Sequence, residues 1–226
     1  MEATVPTAQQ YQPTPRTMPT RYRERARYDR ATVHGILDEA LICHVGYLNG
    51  DRPVVLPTTH ARLGETLYLH GSTGSGPMLA AAGSAEGLPV CVTVTLVDGL
   101  VLARAALHHS LQYRSAVVVG NARLVQDRSE KLRALAALLD HVASGRSADS
   151  RPPNTRELAA TAVLAMDLVE VSAKVREGGA VDDDEDMALP HWAGVVPLTL
   201  TAGAPVAADD LDPAVPLPSY LRPYVR

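Results

Sequence analysis

Four groups of residues in this chain are of types that do chemistry. The first is the turn His70-Gly71-Ser72-Thr73-Gly74-Ser75-Gly76, where an alternating segment runs into small residues and then into helix formers. That order aims backbone N–H groups and hydroxyls into a bend, a geometry that suits an anion. The stretch from Leu67 to Ala82 holds no Lys or Arg, however, and lacks the Gly-Lys-Ser/Thr ending of a nucleotide P-loop. On residues alone it reads as a helix-capping turn, with phosphate binding as the alternative. The second group is His108-His109; neighbours on a strand point to opposite faces, so two ligands for one metal would require a loop. The eight histidines show no HExxH spacing, and the acidic run Asp182–Asp186 lacks the glycine and terminal glutamate of an EF-hand, so no metal is expected. A single axial histidine for haem is compatible with any spacing.

The third group is RYRERARYDR, in which Arg21, Arg23, Arg25, Arg27 and Arg30 meet two acids. Arginine forks can clamp a phosphate or carboxylate; the plainer reading pairs them with acidic surface such as Asp182–Asp186. The fourth is Trp192, the one tryptophan of a chain with no phenylalanine. It is either core filler or a platform for a planar ligand. No GxSxG elbow and no cysteine signature supports a hydrolase.

These groups need a scaffold, and the chain is long enough to supply one. Its 226 residues are 46% hydrophobic and 20% charged, with a formal net charge of −4. That balance argues against bulk nucleic-acid or anionic-membrane binding. No apolar run approaches the roughly 20 residues of a membrane span. The first twenty residues are polar and Pro-rich without the apolar core of a secretory signal, and Cys43 and Cys91 fall in apolar segments as inert thiols. A cytoplasmic protein is the expectation.

Asp29 caps a helix whose apolar face is Val33, Ile36, Leu37 and Ala40. Strands follow at short spacing: ALICHVGYL, a turn at NGD, PVVLPTTHA, and then TLYLHG. A short helix covers Met78 to Ala85. LPVCVTVTL turns at Asp98-Gly99 and returns as LVLARAAL, and RSAVVVGNARLV comes next. Asp127 and Glu130 open a helix with Leu132, Leu135, Leu138, Leu139 and Val142 on one face, Asn154 with Glu157 opens another, and one long strand runs from 162 to 175. Six or seven strands joined mostly by hairpins, with three or four marginal helices, predict a mainly β, α+β fold: an antiparallel barrel with peripheral helices. The expected organisation is a flexible arm at 1–20, the barrel at 21–200 and a Pro-rich tail at 201–226.

The order of the pieces YDRATVHGILDEALICHVGYLNGDRPVVLPTTHARLGETLYLHGS and CVTVTLVDGLVLARAALHHSLQYRSAVVVGNARLV, followed by SAKVR and WAGVVPL, resembles the pyridoxamine 5′-phosphate oxidase-like flavin-binding proteins, and more narrowly their nitroimidazole-resistance (Nim-type) branch. The resemblance implies a split β-barrel, a homodimer, FMN in a groove between subunits, and oxidoreductase chemistry on a small organic molecule. It assigns Pro57, Thr58 and Thr59 to the flavin ring, and His70, Gly71, Ser72 and Ser75 to the phosphate. It brings Tyr113, Arg114 and Ser115 near the cofactor from the second subunit, and Trp192 across the dimer. His70 and His108 are the candidate acid–base residues. One departure matters: relatives carry an arginine after this serine and a further basic residue beyond it, where this chain has Gly76-Pro77-Met78. Two lost charge-assisted hydrogen bonds, each roughly 1.5–3 kcal/mol, weaken phosphate binding by about 10²–10⁴-fold. The N-terminal arginines or Arg114 can compensate. Otherwise the groove suits haem, held by His60, His70 or His109, or a deazaflavin, and a non-catalytic flavin-binding or sensing dimer stands as a further alternative.

Overall fold

The computed structural model describes residues 9–222. Among them the chain forms nine strands and four α-helices. The strands are β1 (Ala26–Arg27), β2 (Ile42–Asn49), β3 (Arg52–Leu63), β4 (Thr66–Ser72), β5 (Leu88–Leu102), β6 (Ser110–Leu124), β7 (Thr161–Asp167), β8 (Glu170–Arg176) and β9 (Gly194–Pro197). The helices are α1 (Arg30–Glu39), α2 (Gly76–Ala82), α3 (Arg128–Val142) and α4 (Thr155–Ala160). All pairings are antiparallel, and the order β6-β7-β4-β3-β2-β5 closes on itself because β5 also pairs with β6. β8 and β1 extend from β6, and β9 extends from β5. This is the expected split barrel with peripheral helices.

Strand alternation builds the interior. Val90, Val92 and Val94 of β5 and Ala116 and Val118 of β6 are all buried, as every second residue of a half-buried strand should be. Helix α1 closes the barrel with the four residues read from its sequence: Val33, Ile36, Leu37 and Ala40 are buried, and the Asp29 side chain accepts the Thr32 N–H at 2.8 Å.

Three local readings are corrected. Asp98-Gly99 is not a hairpin turn but a bulge inside the single strand β5, with the register to β6 shifting between Val97 and Gly99. Here a Cβ on Gly99 would lie 2.9 Å from Gln112 Oε1 and 3.2 Å from Val196 O, so a larger residue would press on the backbone of β9. The long strand expected over 162–175 is two, because the chain leaves β4 after Asp167 and returns beside β6 from Glu170, with Leu168 N–H donating to Glu65 O between them. The capping box belongs to Asn154–Glu157; Glu130 instead accepts from Tyr68 and Arg123.

The arm expected to be free is docked from Gln10 onward. Tyr11 is 3% exposed and belongs to the main core. Its hydroxyl donates to Glu65 Oε2 at 2.8 Å and lies 2.9 Å from His34 Nε2, while Arg30 stacks over its ring and pairs with Glu65. A buried phenol needs such partners, and nothing in a Pro-rich composition announces them.

Candidate functional site

The split in the barrel makes the site. β3 pairs with β2 from Arg52 to Thr59, but with β4 only from His60 to Leu63. Beyond the His60–Leu69 pair the two strands diverge, β3 toward Arg52 and β4 toward Ser72. Pro53 and Pro57 lack an N–H and suit a strand with one edge open. A cavity of about 230 Å3 fills the gap. Leu56, Pro57 and Thr58 form one wall, His70 and Gly71 the other, and Ser75, Pro77 and Met78 of the turn and α2 cross its end. Val45, Leu69 and Leu164 complete the lining.

No charged side chain lines this cavity. It is an apolar slot with three polar groups, from Thr58, His70 and Ser75, a chemistry that suits a flat, largely neutral ring. The turn at its end satisfies itself: Ser75 N–H and Oγ both bond Ser72 O, at 3.0 and 2.9 Å, and Gly74 N–H donates to Ser72 Oγ at 3.3 Å. A Cβ on Gly71 would press on the flexible end of Met78, whose Cε would lie 3.1 Å away.

Five of the residues assigned from sequence, Pro57, Thr58, His70, Gly71 and Ser75, thus come together. Thr59, Ser72, His108, Tyr113, Arg114, Ser115 and Trp192 do not line the cavity within one chain. Arg114 is held by two carboxylates, with Nε and Nη2 on Asp98 at 3.0 and 2.7 Å and Nη1 and Nη2 on Glu39. These hydrogen bonds push its pKa further up, so the guanidinium stays charged. His108 lies 3.3 Å from Asp183, in a loop anchored by the buried carboxylate of Asp182 on Arg104 and the Arg104 and Ala105 N–H groups. Trp192 is 64% exposed beside β9. Val45, Leu69, Met78 and Leu164 were missed; they read as ordinary core apolars, and only the gap between β3 and β4 gives them a ligand-facing role.

Of the three histidines considered for haem, His60 is excluded by its place in the core. It is 0% exposed, and its Nε2–H donates to Leu37 O at 2.8 Å. His70 is exposed on the cavity wall, and His109, also exposed, spends only Nδ1 on Ala105 O, so both fit an axial role. Cys43 and Cys91 are free thiols, and burial pushes the Cys43 thiol up to about 12, which leaves it unreactive.

Comparison with known proteins decides the family. The profile described as pyridoxamine 5′-phosphate oxidase matches residues 29–175. The chain belongs to that family. A search of the curated proteins finds none that matches. Among solved structures, this family member is similar to the flavocytochrome Anf3 from Azotobacter vinelandii, at 37% identity and TM-score 0.86 over 93% of this chain and 96% of that one. It is also similar to the FAD and haem binding protein from Mycobacterium smegmatis, at 40% identity and TM-score 0.81 over 88% of this chain and 96% of that one. A candidate 5-nitroimidazole antibiotic resistance protein from Bacteroides thetaiotaomicron shares the fold at 23% identity and TM-score 0.55, over 66% of this chain and 86% of that one. Residues 1–175 are 175 of 226 positions, so the first two likenesses run on past the point where the family profile stops.

Proposed function

We propose that this protein is a flavin- and haem-binding redox protein, with the flavin ring seated in the slot between β3 and β4. The observation that carries the reading is the likeness, at 37% and 40% identity over nearly the whole chain, to two proteins described as a flavocytochrome and as binding FAD and haem. The slot supports it with an apolar lining, Pro57 and Thr58 to seat a ring, and Ser75 as a polar contact. When bound, the flavin would supply hydride or single-electron transfer and the haem single-electron or oxygen chemistry; the chain would supply position and dielectric.

FAD suits this site better than FMN. The terminal phosphate of FMN is a monoester that concentrates nearly two charges on one phosphorus, whereas the FAD diphosphate spreads them over two. A turn without Lys or Arg, whose serines already bond each other, tolerates the second more easily.

A slot of 230 Å3 is smaller than a site that buries a whole cofactor, so a second surface would complete it. The same strand offers one: Val55 is 64% and Leu56 37% exposed next to Pro57, with Leu48 of β2 61% exposed. We assign that face to a homodimer contact, through which Tyr113, Arg114, Ser115 and Trp192 would reach the flavin of the other subunit. The reaction is oxidation or reduction of a small organic molecule or of oxygen, with His70 as the acid–base candidate on the slot and His108 as the more distant one.

The test is an absorption spectrum of protein reconstituted with FAD, FMN and haem in turn. Flavin bands retained with FAD through desalting, and a Soret band that shifts in His70→Ala or His109→Ala, are the expected results. Protein that retains neither chromophore overturns the reading.

A further inference from the structure

The arginine-rich segment does not pair with the acidic loop: Asp182 is taken by Arg104, and the segment lies along β8 instead. There it borders a second cavity of about 220 Å3, roofed by Arg16, Thr17 and Pro19 of the docked arm and floored by Ser115 of β6 and Ser172 and Lys174 of β8. Positive charge collects at this cavity in a chain of net charge −4. Arg16 is offset by Glu170, but Lys174 and its neighbour Arg21 pair with no carboxylate among the described residues. Lys174 Nζ donates to Arg21 O at 3.3 Å. Lys174, Arg21 and Arg25 stand 5.7, 5.4 and 4.0 Å from the centre of the Tyr22 ring. Tyr22 is half exposed, and its φ of 55° makes it the one non-glycine residue in the left-handed region among those described. Arg25 is offset by Glu24 at 3.7 Å, but Lys174 and Arg21, unpaired and held side by side, repel each other. A bound anion relieves the repulsion.

We propose that this cavity binds the diphosphate of a nucleotide, with Lys174 and, at its rim, Arg21 on the phosphate oxygens and the hydroxyl of Ser172 as a neutral donor. Two spread negative charges match two separated cations better than one compact dianion would. The diphosphate can come from a free nucleotide or from the dinucleotide end of FAD. The proposal stands on the cation cluster and the cavity, independently of the flavin slot.

Calorimetric titration of the full-length protein with pyrophosphate, ADP and FAD at low and at moderate salt tests it, together with the variants Lys174→Gln, Lys174→Arg and, as a control, the remote Arg52→Gln. Pyrophosphate and ADP are expected to compete for one site. Lys174→Gln should weaken both by tenfold or more, Lys174→Arg should restore them, and Arg52→Gln should leave them unchanged. If Lys174→Gln weakens ADP but not FAD, the occupant is a free nucleotide; if it weakens both, it is the end of the dinucleotide. Failure of FAD alone to bind would sink the flavin reading and leave the pyrophosphate result standing. Absence of pyrophosphate and ADP binding, or equal weakening by Lys174→Gln and Arg52→Gln, overturns the proposal.

Discussion

Tyr11, His34, Glu65 and Arg30 show how single residues tie an apparently loose segment to a barrel, and their ionisation gives the tie a pH dependence. Burial lowers the His34 pKa from its ordinary 6.5, with the nearby Arg62 adding to the effect. The unfolded chain therefore takes up a proton that the native protein resists, and stability falls as pH drops through 6.5. Burial would raise the Glu65 carboxyl, but hydrogen bonds from Tyr11 and Arg30 outweigh it and hold the group below 4.5. Its contribution is present above that value and is lost as pH falls through the lowered one. Urea unfolding should give a lower midpoint at pH 5.5 than at pH 7.5, and His34→Gln should shrink the difference. A second residue-scale prediction separates structure from cofactor: His60→Gln should destabilise the protein by roughly 1–3 kcal/mol yet leave any Soret band in place, because the lost group is a buried donor to Leu37 O. A shifted Soret band in His60→Gln would return that residue to the list of ligands. Neither role of Tyr11 nor of His60 was readable beforehand, since composition marked the first as part of a free arm and residue type marked the second as a ligand.

The elements themselves were largely legible, because period-2 alternation and N-cap residues act locally. The α1 face and the β2–β3 and β3–β4 hairpins follow from their own residues, and so does the caps' chemistry at Asp29, Asp127 and Asn154. What failed was punctuation that depends on neighbours. Asp98-Gly99 carries a turn signal but sits where Gln112 and β9 crowd the backbone, so the strand bulges and continues. The slot was legible only as a list of residues. That β3 and β4 part company after the His60–Leu69 pair is a matter of register, which no residue in either strand encodes alone. Glycine has a sharper role at the start of β5. Gly87 has φ +83°, and a Cβ there would lie 2.7 Å from Ala122 O. Gly87→Ala should therefore cost more than about 1 kcal/mol, measured by the urea midpoint at unchanged slope. An unchanged midpoint would mean that the β5–β6 entry relaxes freely.

At the scale of the whole molecule, the prediction concerns assembly. If Val55 and Leu56 face a second copy, Val55→Asp should convert a dimer to a monomer in light scattering and loosen flavin retention with it, while the isolated fold persists by circular dichroism. A wild type that is monomeric at high concentration would remove the second surface from the site. The closed order of the strands has another consequence. Six of them form a closed ring whose free edges lie inside the split between β3 and β4, and the two strands left at the margins, β1 and β9, are two and four residues long. Edges that short offer almost no template for a passing chain to add onto in amyloid fashion. Shaving the segment that contains β9 would uncover Gly99–Leu102 of β5, a run with Leu100, Val101 and Leu102 in succession. Loss of the C-terminal segment from Gly194 onward would thus be felt as fibre formation on storage before it was felt as unfolding.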